Sequence, residues 1–316
     1  MNEKLDIIAI GESLIELSSD ESLSLTESLN KYYGGDTLAA AVAAKRLGSR
    51  VGYITRVGCD HFKEFLLDSW QAEGLDISQV KLTGDFNGIY LLARPKNGSK
   101  EFSYYRKKTA ASKLSIEDIS AKYIESTKIL YSSGITQSLS LSAKEAVKKA
   151  YKMAKNAGVT TAYDPNYSPL ITTPEDAKEC FDEVISDIDI LFLNAQNDVH
   201  EILDMVSIEK VIKHFWDLGV GTIVIKATKI GEQSGGYYTG YGGDIVFCKF
   251  YTEDIVDTTC SGDAFNGGFL HAVASGFSPF EATKLASVVA GLQAQEIGAI
   301  KAIPTKEEVY TKYEKI

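Results

Sequence analysis

Asp257-Thr258-Thr259-Cys260-Ser261-Gly262-Asp263-Ala264-Phe265-Asn266-Gly267-Gly268-Phe269 is the stretch on which the reading of this chain turns. Its small residues open an amphipathic helix directly after a strand-like segment. The first N–H groups of a helix have no intrahelical partner, and the helix dipole adds partial positive charge there. Together these make an anion site suited to a phosphate in transit. Asp263 lies in the same helix opening, where a carboxylate can take the proton of an attacking hydroxyl, as phosphoryl transfer requires. Asp is also a favoured helix cap. An isolated Gly-Asp pair would read as a cap alone, so the rest of the chain has to decide.

Outward from that helix, short apolar runs alternate with helical patterns. Strands are predicted at 6–10, 50–55, 128–132, 159–163, 188–193 and 222–226, with helices at 37–47, 61–72, 142–157 and 208–218 between them and two consecutive helices at 261–275 and 279–296. This alternation predicts an α/β fold of three layers, a doubly wound, mostly parallel sheet with helices on both faces. Residues 13–33 and 88–106 break the pattern. Both are too polar to be buried on two faces, and Asn97-Gly98 between alternating runs signals a hairpin. They are assigned to a small β-sheet lid, and residues 1–12, 34–87 and 107–316 to the core.

The chain has 316 residues, 44% of them hydrophobic, and a formal net charge of −10. The length supports a sizeable core, and an acidic surface makes nucleic acid and anionic membrane poor partners. No basic leader with an apolar core opens the sequence, and no run of 18 apolar residues occurs, so a cytoplasmic location is expected. Cys59, Cys180, Cys248 and Cys260 are widely spaced and read as free thiols, and the four scattered histidines offer no structural metal site.

The stretch 257–269 resembles the C-terminal signature of the ribokinase-like (PfkB-type) sugar kinases, Asp-Thr-x-Gly-Ala-Gly-Asp-x-Phe. Gly34-Gly35-Asp36-Thr37-Leu38 is similar to their N-terminal signature, and Val57-Gly58-Cys59-Asp60 to their Val-Gly-x-Asp. The resemblance spans the chain. It is nearest to the 2-keto-3-deoxygluconate kinases through Gly11-Glu12-Ser13-Leu14-Ile15-Glu16, Tyr104-Tyr105-Arg106 with Thr109-Ala110-Ala111-Ser112, and Ser133-Gly134-Ile135-Thr136. The resemblance implies ATP and Mg²⁺ as cofactors and Asp263 as catalytic base, with Cys260, Ser261 and Gly262 in the anion hole. It also implies a sugar site lined by Gly34, Gly35, Tyr90, Tyr104, Arg106 and Asn166. Nucleotide contacts would come from Asn194, Lys226, Thr228, Gly231 and Ser287. A guanidinium at Arg106 suits an acidic sugar because it pairs bidentately with a carboxylate. A homodimer through the lid is a further expectation.

Several positions depart from the family pattern. Ala39 stands where an asparagine ligand is usual, Ser168 replaces an arginine that helps hold the substrate carboxylate, and Asn197 replaces the acid of Asn-x-x-Glu, with Asp198 adjacent. Cys260-Ser261 replaces Gly-Ala, a change tolerated if Cys260 avoids positive φ. A neutral-sugar kinase such as a fructokinase, and a degenerate sugar-binding protein, both stay open on these grounds. A dinucleotide-binding dehydrogenase does not, since Gly11-Glu12-Ser13 lacks the Gly-x-Gly-x-x-Gly turn.

Overall fold

Strand β1 (Leu5–Ile10) shows why the main sheet is buried on both faces. Ile7 and Ala9 point into one apolar core and Ile8 and Ile10 into the other, as side chains of a strand alternate. This computed structural model describes residues 4–96, 99–230, 233–252 and 254–315; the side chains of 228–230, 233 and 234 are also outside the described set.

The strands after β1 are β2 (Leu14–Ser19), β3 (Asn30–Gly34), β4 (Val51–Gly58), β5 (Val80–Thr83), β6 (Gly88–Ala93) and β7 (Glu101–Tyr105). They continue with β8 (Thr127–Ser133), β9 (Thr160–Asp164), β10 (Ile190–Asn194), β11 (Thr222–Ile230), β12 (Gln233–Tyr241) and β13 (Asp244–Lys249). The large sheet runs β13-β12-β11-β10-β9-β8-β1-β4-β5. It is parallel from β11 to β5, and β12 and β13 extend it antiparallel. The antiparallel hairpin has no counterpart among the predicted strands. Its turn is Gly242-Gly243, with φ of 62° and 92°, the double-glycine signal of a tight hairpin.

Helices α1 (Asp36–Leu47), α2 (Lys63–Glu73), α3 (Ala121–Ile124), α4 (Gly134–Gln137), α5 (Leu141–Asn156), α6 (Pro174–Asp182), α7 (Ile208–Asp217), α8 (Ser261–Ala274), α9 (Pro279–Ala294) and α10 (Lys306–Tyr313) cover it. Apolar residues of α1, α2, α8, α9 and α10 fill one core, and those of α3, α5, α6 and α7 the other. The three-layer α/β expectation is met. Helices α1 and α8 pack without a gap because Gly267 has no side chain: a Cβ there would lie 2.2 Å from the Ala40 carbonyl oxygen. Capping boxes fix the starts of α9 (Ser278 with Glu281) and α10 (Thr305 with Glu308).

Stretches 13–33 and 88–106 supply a separate sheet in the order β3-β2-β6-β7, with β2 parallel to β6 and the other pairs antiparallel. Leu14, Tyr90 and Leu92 form a small apolar cluster with Phe102 and Tyr104 on one face. The Asn97-Gly98 turn lies outside the described residues. Among the described residues no helix is long and apolar enough to cross a membrane.

Candidate active site

Helix α8 begins beyond the carboxyl ends of the parallel strands, the edge where open α/β sheets bind ligands. Its cap, Cys260, has φ 64°. This corrects the expectation that Cys260 avoids positive φ: the turn keeps the left-handed conformation that a glycine would take at less cost, and a cysteine is forced into it. The Ser261 N–H donates to the Thr258 carbonyl at 3.1 Å. It therefore serves the turn, and the free first-turn donors belong to the residues that follow.

Asp263, half-buried, is the focus of a network from four elements. Asn166, just after β9 and itself at φ 47°, donates from Nδ2 to Asp263 at 3.2 Å and to Asp36 at 3.4 Å. Its N–H donates to Asp164 Oδ1 at 3.0 Å. The other oxygen of the fully buried Asp164 accepts from Lys226 Nζ at 2.5 Å and Asn266 Nδ2 at 2.6 Å. Burial raises the Asp263 carboxyl well above the ordinary range, and the negative charges of Asp36 and Asp164 add to this against the opposing pull of Lys226. Such a carboxylate is a stronger proton acceptor than an exposed one.

A cavity of about 370 Å³ opens beside this helix start, lined by Asn194, Lys226, Tyr237, Tyr251, Gly262, Asp263 and Ser287 among others. Tyr237 stacks on Phe265 with centroids 4.0 Å apart, so the wall beneath is rigid and aromatic. Three of the expected nucleotide contacts, Asn194, Lys226 and Ser287, thus line one cavity, each with its polar group already engaged. Lys226 spends its ammonium on Asp164 and Asn266. Ser287 donates to the Lys249 carbonyl at 3.1 Å. Asn194 uses its side-chain oxygen to cap Gln196 and Asn197 in the π-helical segment Ala195–Ile202. Thr228 lies in β11 with its side chain outside the described set, and Gly231 is outside the described residues.

Asp198 does not replace the missing acid at Asn197. Fully buried, it accepts from the backbone N–H of Asn194 at 2.6 Å and of Tyr167 at 3.0 Å, and burial raises it to about 7. Among the described residues no three Asp, Glu, His or Cys side chains converge as a metal cage. The donors present fit a Mg²⁺ held by phosphate oxygens and water, since that ion usually keeps several waters and few protein ligands. Asn197, which donates to the Tyr167 carbonyl at 3.2 Å, retains an amide oxygen for such water.

The small sheet stands beside the α8 turn, its Tyr90 and Tyr104 close enough to Cys260 to interact electrostatically with it. Tyr90 stacks on Tyr104 at 5.9 Å, and Tyr104 on Phe102 at 6.2 Å. Gly34 is required under Tyr90, because a Cβ would come within 2.7 Å of the tyrosine oxygen. Gly35 caps α1 at φ 138°, against the Glu12 carbonyl. Tyr90 donates its hydroxyl to the buried Glu16. Arg106 lies over Tyr104 and forms an ion pair with Glu12, their side chains 10% and 2% exposed. Asp257, beside the α8 turn, accepts from Arg94 at 2.7 Å and Lys100 at 2.5 Å, both from the small-sheet hairpin.

Glu12, Asp36, Asp164 and Arg94 were given no role in the sequence reading. Glu12 and Asp36 stood inside quoted motifs, directly after β1 and at the first position of α1, and an acid at the carboxyl end of a buried strand is the signal that could have found them. Arg94 had none.

A doubly wound sheet whose helix opening sets a carboxylate beside a nucleotide-sized cavity, under a small β-sheet, defines a small-molecule kinase. The chain belongs to the pfkB family of carbohydrate kinases, whose pattern matches residues 4–306. It is a phosphotransferase acting on a sugar hydroxyl. A 2-dehydro-3-deoxygluconokinase of Bacillus subtilis is 28% identical over 97% of this chain and 94% of its own length. One from Thermoproteus tenax is 30% identical, covering 96% and 93%. A crystal structure of a 2-dehydro-3-deoxygluconokinase from Thermotoga maritima superposes with TM-score 0.88 at 21% identity, covering 98% and 99%. A putative ribokinase II of Escherichia coli in complex with ATP and Mg²⁺ does so with TM-score 0.87 at 23% identity, covering 99% and 100%.

Proposed function

We propose that this kinase transfers the γ-phosphoryl group of ATP to a hydroxyl of 2-keto-3-deoxygluconate, with Asp263 as general base. The observation that carries the reading is the Asp263 carboxylate, raised by burial and held by Asn166 at the α8 opening between the cavity and the small sheet. The names of the relatives at 28–30% identity supply the acceptor. In this scheme Asp263 accepts the hydroxyl proton as the oxygen attacks phosphorus, and the N–H groups of Gly262 and Asp263 face the developing charge. Mg²⁺ supplies charge neutralisation between the phosphates when bound. Residues 13–33 and 88–106 act as the lid, with Gly34, Tyr90, Tyr104 and Arg106 toward the sugar. Lys226 acts indirectly, through Asp164 and Asn166. A cytoplasmic site of action accords with this use of ATP.

The Glu12–Arg106 pair favours a second reading, a kinase for a neutral sugar such as fructose, because Arg106 already has a counter-charge. A coupled ATPase assay over keto-deoxy acids, hexoses and pentoses separates the two. For an acidic substrate, Arg106→Ala is expected to raise KM by one to two orders of magnitude, since a charge-assisted pair contributes about 1.5–3 kcal/mol. An equal effect on fructose turnover overturns the sugar-acid assignment, and no turnover with any sugar leaves a sugar-binding protein without kinase activity.

A further inference from the structure

Arg106 is the cation offered to an acidic sugar, yet its charge is already matched. Glu12 sits against it in the turn between β1 and β2, 1% exposed, and neither Glu12 carboxylate oxygen accepts a well-directed hydrogen bond. A buried carboxylate with a single charged partner is expensive, because one ion pair does not replace all the water it has lost. The elements packed around it add little relief. Asp36 at the start of α1 contributes a like charge. Tyr53 of β4 donates to the Glu12 backbone carbonyl at 2.9 Å, leaving the carboxylate unaided. Tyr104 of β7 and Arg106 complete the titratable groups facing it, and Gly88 of β6 brings no charge, its missing Cβ standing 3.3 Å from Glu12 Oε1. A second carboxylate arriving at Arg106 would put two anions on one buried cation, and two carboxylates sharing a site cannot both stay ionised at low cost.

We propose that Glu12 determines how the lid site accepts acidic sugars: the sugar acid enters together with one proton, which Glu12 takes up as Arg106 transfers its pairing from Glu12 to the substrate carboxylate. The proton comes from solvent, no covalent bond changes, and the net charge of the buried cluster is conserved. Burial, aided by the like charge of Asp36 and opposed by Arg106, raises the Glu12 carboxyl to about 7, so this proton is available near neutral pH. Arg106 would thus serve a sugar acid fully only where Glu12 is neutral. A neutral sugar needs no such exchange. The inference rests on the sugar-acid reading of the site.

The test is titration calorimetry of the full-length protein with 2-keto-3-deoxygluconate at pH 8, in two buffers of different ionisation enthalpy. Uptake close to one proton per sugar acid bound is expected, with none for fructose. KM for the sugar acid is expected to rise roughly tenfold per pH unit above about 7, because only the protonated fraction binds. Glu12→Gln, with folding checked by thermal melt, should abolish the uptake and flatten the profile. Binding of the sugar acid by the wild type without proton uptake and with a flat KM overturns the inference and leaves the kinase reading intact. So does a Glu12→Gln protein that still takes up the proton. Failure to bind the sugar acid at any pH overturns both.

Discussion

Asp263→Asn keeps the side chain's size and its partnership with Asn166 but removes the proton acceptor. Turnover is expected to fall about 10²–10⁴-fold, the usual contribution of a general base, while a helix cap alone would leave it near normal because Asn caps almost as well. The pH dependence follows from the direction of the shift. The base works deprotonated, so kcat/KM should decline on the acid side at a pH well above the ordinary aspartate range. The folded state also holds the Asp263 proton more tightly than the unfolded chain does. Its contribution to stability is therefore present at low pH and lost as pH rises through the raised value, and Asp263→Asn should hold or raise Tm at neutral pH. A melt showing marked destabilisation there, or wild-type turnover, contradicts this. Cys260 gives a second test. At φ 64° it tolerates Gly readily, whereas Cys260→Val should cost about 1–2 kcal/mol by urea denaturation, as a branched side chain is poorly accommodated in the left-handed region. A Val variant as stable as the Gly variant would show that the turn relaxes. The motif was plain at this scale in the sequence, but its φ was not, because backbone conformation follows from how α8 docks on α1.

At the scale of elements, the small sheet is tied to the α8 turn by Asp257. Against the raising effect of burial, Lys100, the hydroxyl and N–H of Thr259, and Arg94 hold its carboxyl well below the usual range. Arg94 is 11% exposed and Lys100 34%, which ranks them. Arg94→Ala should cost about 1.5–3 kcal/mol and lower kcat/KM for the sugar by loosening the turn. Lys100→Ala should cost under about 1 kcal/mol, since water screens a partly exposed pair. Urea denaturation with steady-state kinetics checks the order, and a reversed ranking refutes the clamp. Because Asp257 is held ionised, its share of stability is present above the unfolded aspartate value and disappears as pH falls through the lowered one. The existence of the small sheet was legible from the polarity of 13–33 and 88–106. Its strand order, with β2 parallel to β6, was not, since pairing partners are chosen across distant segments. The β12–β13 hairpin was missed although its Gly242-Gly243 turn was readable.

For the whole molecule, Tyr105 at the end of β7 is 63% exposed on the face of the small sheet opposite Tyr104. Sedimentation equilibrium at micromolar concentration is expected to give a dimer through this face, and Tyr105→Glu to shift it toward monomer; a monomeric wild type removes the expectation. Sequence alone determined the layered architecture, because a strand such as Ile7–Ile10 that is apolar on both faces has only one kind of environment in which to sit. It also marked the start of α8 and placed Asp263 there, because a helix start carries its unpaired N–H groups wherever it is placed. What only the tertiary structure decided is the charge state of the site. Whether Lys226 meets a phosphate or Asp164, whether Asp198 faces a metal or two backbone N–H groups, and whether Arg106 stands free or paired with Glu12 depend on which buried groups lie within a few ångströms. Electrostatic energies in a low-dielectric interior vary steeply over those distances, and residues 94 positions apart in the chain, as Glu12 and Arg106 are, meet only when the fold brings them together.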